Sequence, residues 1–152
     1  MHTRKRQLLV VSSGPSLAQT LGLRWRGDNL TVRHIPKNAV PVARTQNKRA
    51  ALIVVDLCQE DASGLDLCDR LGAGKAAPLL FLLPRSDPLM AAAILDRGAD
   101  DCLAKPFDPD ELSIRIQAIL RRADMPRGHP TIRSVRQPER REAGTPTVLA
   151  RG

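Results

Sequence analysis

At 152 residues, 42% of them hydrophobic, the chain has room for one domain of ordinary size and a tail rather than for two complete domains. Its longest apolar stretches fall far short of the roughly 20 residues that cross a bilayer, and Met1 to Arg6 leads straight into a strand-like run, so neither a transmembrane nor a secretory segment is expected. The net charge of +8 is uneven, with ten Lys and Arg against one acid in residues 1–50, eight against twelve in 51–122 and six against three in 123–152; without aromatic interleaving, such basic ends read first as solvated surface and second as a nucleic-acid footprint.

Leu8 to Val11 is a short apolar run stopped by Ser12, Ser13, Gly14 and Pro15, the pattern of a buried strand ending in a loop. A helix should follow, capped by Ser13 or Gly14 with Pro15 in its first turn, carrying Leu17, Leu21 and Trp25 on one face and ending at Gly27 and Asp28. Leu30 to Ile35 alternates apolar and polar residues, as a strand near a sheet edge does, and Pro36 and Pro41 shorten any helix that forms before Arg49.

Ala51 to Val55 is continuously apolar and β-branched, which predicts a central strand buried on both faces and ending in a carboxylate, Asp56. Gly64 opens a short helix through Leu65, Cys68 and Leu71, and Leu79 to Leu83 forms the next apolar run. Asp87 and Pro88 start a helix that Gly98 closes, and Cys102 to Ala104 makes a short last strand. Asp108-Pro109-Asp110-Glu111 reads as a capping box for the final helix. That helix carries an apolar stripe of Leu112, Ile116, Ile119 and Leu120, with Arg121 and Arg122 at its negative end.

Five short strands alternating with helices predict an α/β fold, a parallel sheet covered on both faces in the doubly wound order 2-1-3-4-5, because each parallel crossover needs such a connection. Aromatic residues make up 2% of the chain, so the core must be built from Leu, Ile, Val and Ala. In this architecture ligands sit beyond the carboxyl ends of the strands at the point where strand order reverses, and Ser12, Ser13, Asp56 and Lys105 should converge there. Cys58, Cys68 and Cys102 are odd in number and lack close CxxC pairing, which argues for packing residues kept reduced in a cytoplasm. Cys58 adjoins the expected site but has no basic neighbour in sequence, the setting of an inert thiol.

The segments LLVVSSGP, ALIVVDLCQEDASGLDLC and GADDCLAKPFDPDELSIRIQAILRR resemble, in order and spacing, the receiver domain of two-component response regulators, closest in pattern to the winged-helix transcription-regulator branch. The resemblance covers roughly residues 6–123 and implies the flavodoxin-like form of the predicted sheet. It makes Asp56 the phosphoacceptor position and Lys105 the phosphate-contacting position, and it implies a cis peptide at Lys105-Pro106. A carboxylate accepts a phosphoryl group only where cations and fixed donors screen the incoming charge. Family members carry two acids after the first strand to hold Mg²⁺, whereas Ser12 and Ser13 stand here, neutral oxygens that bind a hard cation far less well. Weak or absent Mg²⁺ binding and no other cofactor are expected.

The switch hydroxyl that ends the fourth strand in the family is replaced by Leu83, with Pro84 after it, and the aromatic of the last strand by Cys102. Asp100, Asp101 and Arg115 match positions that make crossed salt bridges between two receivers, which implies a symmetric homodimer. Beyond Ala123 the chain turns to Pro, Gly and Arg, and SVRQPERREAGTPTVLARG within residues 124–152 faintly resembles the opening of a winged-helix effector domain; a disordered basic tail is the other reading.

The resemblance thus implies a cytoplasmic signalling module with no membrane partner, an atypical receiver that works by protein contacts or dimerisation, with a histidine kinase or another signalling protein as a further partner. The alternatives are a regulator phosphorylated at Asp56 that controls transcription through a reduced or partner-supplied DNA-binding domain, and a nucleic-acid-binding protein using its basic ends. An enzyme is not expected, because His2, His34 and His129 lie in flanking or variable segments and no cofactor loop is present.

Overall fold

The structure is a computed structural model, which describes residues 5–26, 29–39, 50–58, 64–71 and 77–124. Strands β1 (Arg6–Ser12), β2 (Leu30–Pro36), β3 (Ala50–Asp56), β4 (Leu79–Leu83) and β5 (Asp101–Ala104) alternate with helices α1 (Ser16–Arg24), α2 (Gly64–Leu71), α3 (Pro88–Asp96) and α4 (Pro109–Ala123). The five strands form one sheet in the order β2-β1-β3-β4-β5, and every neighbouring pair is parallel. The doubly wound order expected from the sequence is the one observed.

Strand side chains alternate between faces, and the alternation separates two cores. Leu8, Val10, Leu52, Val54, Leu80, Leu82 and Leu103 pack with Leu21 and Trp25 near α1 and with Leu112, Ile116 and Ile119 of α4. Leu9, Val11, Ile53, Val55, Leu79, Phe81 and Leu83 pack with Leu67, Cys68 and Leu71 of α2 and Ile94 of α3. A strand such as β4, buried at all five positions, is therefore stable only with helices on both sides. Each side chain of this size contributes about 1.5–3 kcal/mol on burial. β2 at the sheet edge keeps the alternating exposure its sequence suggested.

Three local features depart from the sequence reading. The residue that precedes α1 is Pro15, with no side-chain cap, because Ser12 and Ser13 direct their hydroxyls elsewhere. The helix stops at Arg24, so Trp25 packs from just beyond its end, and Gly27 and Asp28 lie outside the described residues. At α4 only half of the capping box forms: Asp108 accepts from the Asp110 N–H at 2.8 Å, while the Glu111 carboxylate accepts from Arg115 at 3.1 Å instead of turning back to the cap.

Elsewhere the local chemistry holds. Asp87 caps α3 by accepting from the Met90 N–H at 3.0 Å, and Gly98, at φ 108°, makes the left-handed turn after it. Between β2 and β3 a single 3-10 turn, Lys37–Ala39, is described. The tail expected over 124–152 lies outside the described residues apart from Asp124, which follows α4 and pairs with Arg6 at 2.9 Å.

Candidate functional site

Asp56 closes the central strand β3, so its carboxylate emerges at the carboxyl edge of the sheet. Lys105 follows the edge strand β5, which β4 separates from β3, with its N–H held by the Leu83 carbonyl at 2.9 Å and a cis bond to Pro106. From there Lys105 Nζ forms an ion pair with Asp56 Oδ1 and donates to the Leu57 carbonyl at 3.2 Å. Asp56 Oδ1 is sealed from water and takes no directional hydrogen bond among the described residues, so the Lys105 charge is its compensation. The two side chains are 20% and 33% exposed, open enough for an approaching group to reach them.

The serines end β1 on the far side of β3. Ser12 is buried and donates its hydroxyl to the Gly14 carbonyl at 2.7 Å, which fixes the loop and turns the oxygen's proton away from Asp56. Ser13 Oγ lies 3.5 Å from Cys58 Sγ. Lys37 Nζ, from the 3-10 turn, lies 3.3 Å from the same sulfur. The expectation that Cys58 lacks a basic neighbour is therefore wrong: the neighbour is remote in sequence and arrives because Pro36 pairs alongside Ser12 in the sheet.

Leu83 is buried at 2% exposure and packs into the core under α2 and α3, so no hydroxyl stands where the resemblance places one. Cys102 is half-buried, with Sγ 3.9 Å from the Ala91 carbonyl of α3. A small thiol thus packs on α3 at the aromatic's position.

On the other edge, Asp100 Oδ2 accepts from the Leu79 N–H at 2.9 Å and anchors the start of β4. Asp101 accepts from Arg115 at 3.1 and 3.0 Å within the same chain. Burial works to lower the Arg115 pKa, but the charge and hydrogen bonds of Asp101, joined by Glu111, outweigh it and raise the guanidinium above its ordinary value. Burial also pushes the Cys68 thiol up, aided by Asp69 and opposed by Arg97.

The donor set around Asp56 does not suit a hard divalent cation, which seeks several oxygen ligands and carboxylate charge. It offers one carboxylate already paired with the Lys105 ammonium, a hydroxyl engaged in its own loop, and a second hydroxyl on a soft thiol that Lys37 also contacts. Among the described residues, no group of three or more His, Cys, Asp or Glu is placed to hold a metal. No helix among them is long and apolar enough to cross a membrane.

Sequence reasoning brought together Asp56, Lys105, Ser12 and Ser13, and it missed Lys37 and His34. His34 Nε2 lies 3.1 Å from the Ser12 carbonyl, beside the site rather than away from it. The alternation of β2 could have placed both, since it fixes which residues flank the end of β1.

A model of the response regulator receiver domain matches residues 8–117. Among curated proteins, the "DNA-binding response regulator MtrA" of Mycolicibacterium smegmatis is 34% identical over 122 residues, 80% of this chain and 54% of that protein. The "Response regulator ArlR" of Staphylococcus aureus is 34% identical over 116 residues, 76% of this chain and 53% of that one. The chain therefore spans about half the length of these relatives. Among solved structures, the receiver domain of a Francisella response regulator aligns at TM-score 0.62 and 23% identity, over 78% of this chain and 99% of that one. A two-component response regulator from Clostridium difficile aligns at 0.65 and 19%, over 79% and 99%. At these identities the two structures attest the fold.

Proposed function

The chain belongs to the response regulator receiver domain family, and from that membership we propose that it is an atypical receiver of cytoplasmic signalling, working through protein contacts that do not require phosphorylation of Asp56. One observation carries the reading: the acceptor carboxylate is held by Lys105 in a pocket whose cation ligands and switch hydroxyl are replaced by Ser12, Ser13 and Leu83. Phosphoryl transfer depends on charge stabilisation at the acceptor, and an output needs an element with two arrangements. Leu83 in the core and Cys102 against α3 supply neither a movable hydroxyl nor a swinging ring.

The contacts we assign are those of a symmetric dimer through α3, β5 and α4. Leu89 and Ile114 are 84% and 62% exposed on the two helices, and the Asp101–Arg115 pair joins β5 to α4, able to exchange partners with a second copy. A histidine kinase or another signalling protein is the further partner, and DNA is reached through a partner or weakly.

The alternative is a regulator phosphorylated at Asp56 that controls transcription. It is favoured by the intact Asp56–Lys105 geometry and by the DNA-binding regulator named among the relatives. Incubation with Mg²⁺ and a small-molecule phosphodonor, with Asp56→Asn as control, separates the two when intact mass and oligomeric state are followed together. No adduct and an unchanged association state support the proposal. A phosphoryl adduct that is lost in the control and shifts the association state establishes the alternative.

A further inference from the structure

We infer that the amino edge of the sheet carries a docking site for the phosphate backbone of nucleic acid, a basic pole formed by Lys5, Arg26, Arg121 and Arg122 around the start of β1. The pole lies at the opposite end of the strands from Asp56, so the inference holds whether or not that carboxylate is phosphorylated, and its failure leaves the proposed receiver function untouched.

Arg6, the first residue of β1, gathers three segments. Its N–H donates to the Asn29 carbonyl at 3.0 Å, its side chain pairs with Asp124 at 2.9 Å, and Lys5 precedes it in the chain. Arg26, just past α1, is three residues from Asn29 and so at most about 11 Å from it. Arg121 stands about 5 Å before Asp124 along the axis of α4, and Arg122 follows it. Arg6 and Arg24 are committed to Asp124 and Asp110. Lys5, Arg26, Arg121 and Arg122, by contrast, form no hydrogen bond or ion pair among the described residues; the first three are exposed and Arg122 is half-buried.

The C-termini of α1 and α4 also end here, each presenting about half a negative charge, but together they offset only one of the four cations. The adjoining sequence keeps the sign, with Arg4 set against Asp28 and six Arg against two Glu in 125–152. Three of the four free groups are guanidinium, whose planar fork fits phosphate oxygens in pairs. Leu23 is the large apolar side chain exposed nearby, too little for the apolar centre of a protein interface. A phosphate backbone needs no such centre, because it is held by charge and counterion release without any reading of sequence.

The test is anisotropy of a short labelled DNA duplex titrated with the full chain over a range of salt. Affinity should fall linearly on logarithmic axes, and each phosphate contact removed should make the slope shallower by about 0.9. Arg26→Gln with Arg121→Gln should therefore flatten the slope by about 2 and weaken binding at least about tenfold near 0.1 M salt. Lys5→Gln alone should flatten it by about 1, whereas Arg26→Lys with Arg121→Lys should keep the parent slope. Arg33→Gln with Arg85→Gln, an equal loss of exposed charge away from the pole, should also keep it. Thermal unfolding of each variant separates lost binding from lost fold. No DNA binding at low salt, an unchanged slope in both the Arg26→Gln/Arg121→Gln and Lys5→Gln variants, or an equal loss in the Arg33→Gln/Arg85→Gln variant overturns the inference. So does tighter binding to poly-glutamate or to vesicles of phosphatidylcholine and phosphatidylserine than to the duplex, which would make the partner an acidic protein or a membrane surface.

Discussion

Removing Lys105 while keeping Asp56 should destabilise the fold more than removing both charges. Lys105→Met leaves a carboxylate with one oxygen sealed from water and without the ammonium group that pairs with it. At an effective dielectric of about 20, opposite charges in contact attract by about 4 kcal/mol. Solvent reaches a fifth of Asp56 and a third of Lys105, so the loss should be nearer 2 kcal/mol than the 3–5 kcal/mol typical of fully buried pairs. Asp56→Asn keeps the shape and should cost under about 1 kcal/mol, and the double variant should lose no more than that, a coupling of at least about 1 kcal/mol. Urea unfolding reads this directly, because 2 kcal/mol moves the midpoint by about 1 M at an m-value near 2 kcal/mol/M. If the two single losses add in the double variant, the pair is not what holds Asp56 in place.

Leu83→Thr, which restores the family's hydroxyl, should destabilise the domain by about 2–3 kcal/mol, because it puts a polar group without a partner into the core under α2 and α3; calorimetry showing an unchanged melting temperature would refute that placement. Arg115→Ala removes the bonds to Asp101 and Glu111 and should lower the melting temperature by about 2–4 °C, an exposed network's worth of about 1 kcal/mol. The Cys68 thiol is raised above its ordinary 9.0 in the folded state, so the unfolded chain loses that proton first. Cys68 therefore favours the fold below that pH, and its contribution falls as pH rises through the raised value. Denaturant titrations on the alkaline side should show a shallower fall for Cys68→Ala. Gly64→Ala brings a Cβ within 2.7 Å of Leu57 Cδ1 and 3.3 Å of Ile94 Cδ1; both are core side chains, so the substitution should destabilise by about 1 kcal/mol despite the better helix former, and a stabilised variant would show that Leu57 can swing aside.

The sheet order and the Asp56–Lys105 convergence were legible because both follow from short-range patterns: apolar runs of strand length, a carboxylate closing the central run, and Lys-Pro before a capped helix. The Lys37–Cys58–Ser13 contacts were not, since they join residues up to 45 positions apart through the register of β1 with β2. The α1 cap failed for a related reason. Ser13 satisfied the local rule for a cap, but its hydroxyl had a competing partner, Cys58 just beyond β3. Asp100 also reads differently once folded. Its carboxylate accepts the Leu79 N–H, which leaves Asp101, Arg115 and the exposed Leu89 and Ile114 to carry the proposed dimer face.

In a receiver that works without phosphorylation, association does not depend on the acceptor. Sedimentation equilibrium of the parent chain, Asp56→Asn and Ile114→Asp over a range of concentrations tests it most directly. The expected result is a dimer with the same dissociation constant for the first two and a weakened one for the third. A chain that stays monomeric throughout, or a dimer whose constant moves with Asp56→Asn, would contradict it.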